Sequence, residues 1–344
     1  MRIGFIGFGY IARKHAKEYC RYRKYVKLVA VCDKNPGAKE EARRILGGSF
    51  DFYTDPQAML SEQNLDMVHI STPPLTHAPL SILCMQHGCH VAVEKPIATT
   101  VKDCEMMIQV MRDKGVKLIP LHTSLYNPAF LRLKEIISRG EIGEIFGVDI
   151  NFLGRADEYF IVDPNHWSHK LPGGAFCESL PHPLYLAQQL IPRLEVEAVF
   201  WQKRGKLEHM STDDLLVVLK GDGARITIRL GWNSPKNSAV IRVYGTKAHV
   251  DCDLFGLSVV KRGKGDISPV LVGADNLSTI FSLFKDSFSG FFKWAVGWRG
   301  GYQTLIQKIV HYLTEGGPPP VSIDDAREVV RITEEICSKI PSNK

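Results

Sequence analysis

Arg2-Ile3-Gly4-Phe5-Ile6-Gly7-Phe8-Gly9-Tyr10-Ile11-Ala12 is the stretch from which the fold is read. Residues 2–6 form a short apolar run, two glycines end it, and a helical pattern follows to about residue 24. This is G-x-G-x-x-A in its strand, turn, helix context: Gly7 makes the tight turn, Gly9 lets backbone approach a pyrophosphate, and Ala12 allows close helix packing. Phe8, Tyr10 and Ile11 complete the loop and the helix start that would hold the cofactor. A second apolar run, 27–32, ends at Asp33, roughly twenty residues beyond the turn, where a carboxylate can hold the ribose hydroxyls, with Lys34 beside it. A glycine turn with a helix-capping Asp would have to produce both features by coincidence.

Outward from this start, the alternation continues. A helix over 36–46, a short strand near Phe52 and a helix over 55–61 lead to a strand over 66–70. Ser71-Thr72-Pro73-Pro74 then breaks the chain, and Thr76-His77 opens a helix to about residue 87. Strand-end hydroxyls and a rigid proline turn suit a wall against ribose and nicotinamide, so Ser71, Thr72, Pro73 and His77 are cofactor candidates. His77 could equally be an ordinary first-turn residue.

Val91-Ala92-Val93-Glu94-Lys95-Pro96 reads as a buried strand that carries a carboxylate and an ammonium out of the sheet's carboxyl edge, where open α/β sheets bind ligands. Lys95 can hydrogen-bond a substrate hydroxyl there; the plain alternative is a strand-end lysine reaching solvent. A tight turn leaving a strand toward a ligand is also a usual place for a cis X-Pro bond. A helix over 101–114 and a strand over 116–121 complete six strands of a doubly wound sheet.

The rhythm then changes. A helix over 128–139 precedes strand-like runs at 145–152, 196–201, 215–219, 225–230, 240–244 and 249–252, several separated by short turns. That pattern predicts an open, mainly antiparallel sheet in an α+β domain, whose free face makes a homo-oligomer, dimer or tetramer, the expectation. The fold class is therefore α/β, an N-terminal Rossmann domain over 1–121 plus an α+β domain over 122–344, with a terminal helix near 322–339 able to pack back on the first. Within the second domain Glu178 and His182 stand four apart and would share a helix face as base and orienter, while the alternative is a helix-start His with a solvated Glu. His122, Tyr126, His166 and Trp167 are candidates for a substrate wall, each with a packing alternative.

Composition sets outer bounds. The chain has 344 residues, 44% of them hydrophobic and 23% charged, with 43 Lys plus Arg against 37 Asp plus Glu. Its excess of +6 is spread along the chain, so nucleic acid is not implied, though an anionic substrate is compatible. The eight cysteines show neither C-x-x-C pairs nor zinc spacing. With no signal-peptide h-region and no membrane-length apolar run, a cytoplasmic protein without bound metal is expected.

On Gly7, the Ser71-Thr72-Pro73-Pro74 loop with His77, Glu94-Lys95-Pro96, Tyr126-Asn127-Pro128, Gly173-Gly174 and Gly245-Thr246-Lys247, the chain resembles the glucose-fructose oxidoreductase and inositol dehydrogenase (Gfo/Idh/MocA) family. The resemblance covers nearly the whole sequence. It implies an NAD(P)-dependent enzyme that moves hydride to or from a carbinol carbon of a polyhydroxy substrate, with Lys95 the lysine of the Glu-Lys-Pro motif and His182 the catalytic histidine; Asp33, a like charge for a 2'-phosphate, makes NAD the expectation and NADP the lesser one. Glu178 stands where the family usually has Asp, Leu180 where it often has Gly, and Pro181 and Pro183 flank the histidine, so the helix is expected to start late. A redox-neutral NAD enzyme, of epimerase or eliminase type, and a non-catalytic NAD-binding regulator are the rival readings.

Residues 277–298 carry apolar side chains at 277, 281, 284, 288, 291, 295 and 298, opposed by Ser278, Ser282, Lys285, Ser289 and Lys293. The spacing predicts an amphipathic helix, or two broken near Gly290, folded against the second domain or a sister subunit. A lid and an amphipathic foot on an anionic membrane are the alternatives.

Overall fold

The computed structural model describes residues 1–205, 207–263, 268–295 and 300–341, with the side chains of all these except 271 and 289–295. Two compact units divide the chain: Met1–Thr123 with Tyr302–Glu334, and Ser124–Gly301 with Glu335–Lys344.

The first unit contains β1 (Arg2–Ile6), α1 (Tyr10–Tyr19), β2 (Lys27–Cys32), α2 (Ala38–Leu46), β3 (Asp51–Tyr53), α3 (Pro56–Glu62), β4 (Met67–Ile70), α4 (His77–Gln86), β5 (His90–Val93), α5 (Val101–Lys114) and β6 (Leu118–Pro120). The strands pair in the order β3-β2-β1-β4-β5-β6, all in parallel, with the reversal of winding between β1 and β4. Parallel strands covered on both faces read as unbroken apolar runs, and Val91, Ala92 and Val93 are accordingly all buried. Each such valine contributes about 1.5–3 kcal/mol of transfer free energy. Local signals set the helix limits. Thr100 accepts from the Asp103 amide at 3.1 Å to start α5, and Gly115, at φ 63°, ends it.

The second domain does not run unbroken from 122 to 344. Residues from Tyr302 to Glu334 return to the first unit as α11 (Gly301–Thr314) and most of α12 (Ile323–Ser338). Ala326 and Val330 join the core built by Ile70, Val93, Cys104 and Ile108, and the Glu334 carboxylate accepts from the Val101 amide at 2.8 Å.

The second unit holds α6 (Pro128–Ser138), β7 (Ile145–Arg155), α7 (Tyr159–Val162), α8 (Ala175–Ser179), α9 (Pro181–Leu190), β8 (Glu195–Gln202), β9 (Asp214–Gly221), β10 (Ala224–Ser234), β11 (Ser238–Gly245), β12 (His249–Asp253), β13 (Ser258–Arg262) and α10 (Pro269–Ala295). Its seven strands pair as β13-β12-β11-β7-β10-β9-β8, antiparallel throughout except between β7 and β10. β13 has no counterpart in the strand-like runs of the sequence. It is short, and its ladder to β12 forms only in the assembled sheet.

One helix meets its own unit through its polar face. α10 runs through Gly290 without a break. Among its described side chains, those that meet the rest of the unit are polar: Asp286 accepts from the Val259 amide at 3.0 Å and pairs with Arg132, Asp275 pairs with Arg262 at 2.8 Å, and Ser282 donates to the Val259 carbonyl. Phe281, Phe284 and Phe288 are instead 70%, 70% and 67% exposed. Helical period defines two faces but not which one meets protein. Here guanidinium partners and a strand amide capture the polar face. Trp294 and Trp298 lie outside the described side chains. Among the described residues no helix is long and apolar enough to cross a membrane.

Candidate functional site

Ladder hydrogen bonds align the carboxyl ends of the first unit's strands. The Gly7 amide donates to the Cys32 carbonyl, Ser71 to Ile6, Asp33 to Tyr53, Glu94 to Ile70 and Leu121 to Val93, all at 2.8–3.0 Å. Gly7, Asp33, Ser71, Glu94 and Leu121 therefore stand along one edge, as the winding requires of a ligand-binding edge.

Gly7 adopts φ 81°, and a Cβ there would lie 2.7 Å from the Ser71 carbonyl oxygen, so the turn tolerates only glycine. A Cβ on Gly9 would meet nothing within 4 Å, which leaves room for a ligand against the backbone. No side chain caps the start of α1. Asp33 is half-buried and accepts from the Phe8 amide at 2.7 Å and the Asn35 amide at 2.8 Å, so it also braces the glycine loop. Lys34 and Pro73 are exposed and Tyr10 is 66% exposed, whereas Phe8 points into the core and Ile11 is half-buried. The Ser71 hydroxyl is buried without a hydrogen-bond partner among the described residues, while Thr72 accepts from Thr76 at 2.7 Å. An open glycine loop, an uncapped helix start and an orphaned hydroxyl on one edge fit a dinucleotide.

Glu94 and Lys95 leave β5 half-buried, and the Lys95–Pro96 bond is cis. His77 is 1% exposed, with Nδ1 2.7 Å from the Pro96 carbonyl and Nε2 2.7 Å from the Thr72 carbonyl. It ties the two loops together and does not present a free edge. Burial lowers its pKa, the two carbonyls oppose the shift, and the Lys95 charge adds to it. His122, 2% exposed, is pushed down to about 3 by burial and by the Lys95 charge.

In the second unit α8 and α9 abut at Leu180. Pro181 occupies the first position of α9, where a missing amide costs nothing, so the late helix start is present. Glu178 is next to last in α8 and His182 second in α9, and Leu180 between the two helices keeps the αR conformation, so the four-residue spacing places them on successive turns. Glu178 Oε2 accepts from Ser179 Oγ at 2.8 Å. His182 Nδ1 lies 2.7 Å from the Tyr185 hydroxyl, and its ring is parallel to Phe152 at 6.5 Å. Tyr185 is the orienting partner that the sequence reading missed. Its position three residues after His182 on a helix was the available signal. The His166 ring lies tilted against Trp167, with centroids 4.8 Å apart, and bonds Ser168 Oγ at 2.8 Å; burial lowers its pKa, with Asp163 and Glu178 opposing. Burial pushes Tyr126 up to about 12.

The fold and these two centres define an NAD-binding oxidoreductase class. The chain belongs to the Gfo/Idh/MocA family: residues 1–122 match the oxidoreductase family with NAD-binding Rossmann fold, and residues 130–251 match the GFO/IDH/MocA C-terminal domain. Glycosyl hydrolase family 109 protein 2 of Bacteroides fragilis is 28% identical over 183 residues, which span 49% of this chain but only 43% of that protein. Inositol 2-dehydrogenase of Salmonella typhimurium is 24% identical over 98% of this chain and 94% of its own. Among solved structures, the WlbA dehydrogenase from Bordetella pertussis, in complex with NADH and UDP-GlcNAcA, superposes with a TM-score of 0.80 at 21% identity, covering 98% of this chain and 95% of that one. That likeness is one of fold.

Proposed function

We propose that this protein is an NAD-dependent dehydrogenase that moves hydride between nicotinamide and a secondary hydroxyl carbon of a sugar, cyclitol or sugar derivative. The observation that carries the reading is the row of Gly7, Asp33, Ser71 and Lys95 at the carboxyl edge of a six-stranded parallel sheet. When bound, NAD supplies the hydride acceptor; the residues of this chain do the rest.

His182 takes the hydroxyl proton. We assign Nδ1–H of His182 as the donor to the Tyr185 oxygen 2.7 Å away, which also accepts from the Ser124 amide at 3.3 Å; Nε2 is then the basic nitrogen. Lys95 hydrogen-bonds the substrate oxygen and supports the alkoxide as it develops. Glu178 grips a neighbouring hydroxyl, and Tyr126, His166 and Trp167 supply substrate-facing surface. NAD is preferred to NADP, because Asp33 would face the 2'-phosphate as a like charge. A homo-oligomer suits the uncovered apolar side chains Phe200 and Leu216, which pair across β8 and β9.

The test is a screen of the purified protein with NAD+ against inositols, sugars and nucleotide sugars, following NADH absorbance. NADH formation on any of them supports the reading, and failure to bind NAD+ overturns it. The hydrolase name of the Bacteroides relative favours one second reading, a redox-neutral reaction. Product formation with retained NAD and no net NADH would select it.

A further inference from the structure

Four polar side chains run in file through the interior of the first unit, and none of them has a part in the chemistry above. Tyr19 and His15 lie on α1, His69 on β4, and Glu94 just past β5. The Tyr19 hydroxyl is 3.4 Å from His69 Nδ1, His69 Nε2 is 2.9 Å from His15 Nδ1, and His15 Nε2 is 3.6 Å from Glu94 Oε1. The other Glu94 oxygen accepts from the Lys95 amide at 3.2 Å. Tyr19, His69 and His15 are all 0% exposed, and aromatic rings enclose the file: Phe5 lies 4.7 Å from His69, and Tyr302 lies 5.2 Å from His15. The nearby cation, Lys14, sits over the rings of Tyr10 and Tyr302 at 4.3 and 5.3 Å.

Burial holds both imidazoles neutral. It lowers His15 to about 3, with Lys14 adding to the shift, and lowers His69 in the same direction, with His15 adding. A neutral imidazole has one N–H and one lone pair, so a file of two can run in only two directions. In one, Tyr19 donates to His69, His69 Nε2–H donates to His15 Nδ1, and His15 Nε2–H points at the carboxylate. In the other, the lone pair of His15 Nε2 faces a carboxylate oxygen, which is repulsive. Among the described residues His15 Nε2 has no hydrogen-bond partner, and at 3.6 Å its N–H is aimed at Glu94 rather than bonded to it, a separation that small side-chain movements can close.

We infer that Tyr19, His69 and His15 are positioning residues, a one-way file of hydrogen-bond donors aimed at the Glu94 carboxylate, which it steadies at the nicotinamide end of the cofactor as the last gap closes. The inference rests on the NAD reading above. A carboxylate held there favours the positively charged NAD+ over NADH, so the file biases the bound couple toward its oxidised form. A metal ion fits the cluster less well. Its three ligand atoms are gathered only to within 4.8 Å of one another, against roughly 3.4 Å between the ligands of a tetrahedral zinc ion, and binding would break the His15–His69 hydrogen bond.

The experiment compares His15→Leu, which removes the donor, with His15→Gln, which keeps one. Dissociation constants are measured for NAD+, NADH and, as a control that lacks nicotinamide, ADP-ribose. ADP-ribose should bind all three proteins alike. The leucine variant should weaken NAD+ about tenfold relative to NADH, and glutamine should recover most of that loss. An unchanged NAD+ to NADH ratio with normal ADP-ribose binding overturns the inference alone. Failure of the unsubstituted protein to bind ADP-ribose overturns the NAD reading, and the inference falls with it. Nitrogen-15 histidine NMR of the unsubstituted protein needs no variant to fold. His15 and His69 should both be Nε2–H tautomers, unchanged from pH 8 to 5.5. An Nδ1–H tautomer at either residue, or zinc titration that shifts both rings, overturns the proposal.

Discussion

Lowering the pH from 7.5 to 5.5 should destabilise the first unit by about 3 kcal/mol through His15 and His122 alone. Both are buried, and both titrate near 3 in the folded protein against an ordinary value of 6.5. Above 6.5 neither the folded nor the unfolded state is protonated, so the stability is fully present. As the pH falls below 6.5 the unfolded chain takes up protons that the folded unit refuses, and the loss continues until the folded groups titrate near 3. Each group costs about 1.4 kcal/mol over this window. His69 and His77 are lowered in the same direction and deepen the effect. Against a total stability of about 5–15 kcal/mol this is a large fraction, corresponding to roughly 6–12 °C in melting temperature. Urea unfolding at the two pH values, followed by far-UV circular dichroism, measures it. His122→Asn should remove about 1.4 kcal/mol of the pH sensitivity. Equal midpoints at pH 7.5 and 5.5, or an undiminished pH dependence in the variant, would refute the reasoning.

Three further outcomes are expected. Lys95→Ala should bind NAD+ nearly normally yet lose turnover about a hundredfold or more, since it removes one contact made to the developing alkoxide; a near-normal kcat would take Lys95 out of the mechanism. Asp33→Ser should narrow the NAD over NADP preference by about 1–3 kcal/mol and also lower the melting temperature, because it weakens the acceptor of the Phe8 and Asn35 amides; an unaltered ratio of kcat/KM for the two cofactors would contradict this. Tyr185→Phe should reduce kcat about tenfold with little change in KM, because His182 loses the partner that sets its tautomer, and an unchanged pH profile would show that Tyr185 does not orient the ring.

Much of the first unit was legible because its signals are local. Buried parallel strands are apolar runs, a positive φ demands glycine at position 7, and Thr100 and Gly115 mark the ends of α5 within a few residues of the helix itself. The edge residues Asp33, Ser71 and Lys95 followed from those limits, since each stands just past a strand. The spacing of Glu178 and His182 was legible in the sequence, but the hydrogen-bond partner of each side chain was not. Pro181 divides the segment into two helices, and His182 bonds the Tyr185 hydroxyl.

The sequence by itself determined a doubly wound sheet, a glycine-turn dinucleotide site and a mainly antiparallel second domain, because strand and helix periods and turn chemistry act over fewer than about ten residues. Three features were decided only in the tertiary structure. Tyr302–Glu334, of which only the terminal helix was foreseen, rejoin the first unit, α10 turns Phe281, Phe284 and Phe288 outward, and Tyr19, His15 and His69 meet in file toward Glu94. Each depends on partners that are distant in sequence: Glu334 on the Val101 amide, Asp286 on Arg132, and His15 on His69 fifty-four residues away. A period tells a side chain which face it shares; only the packed chain supplies the group it meets.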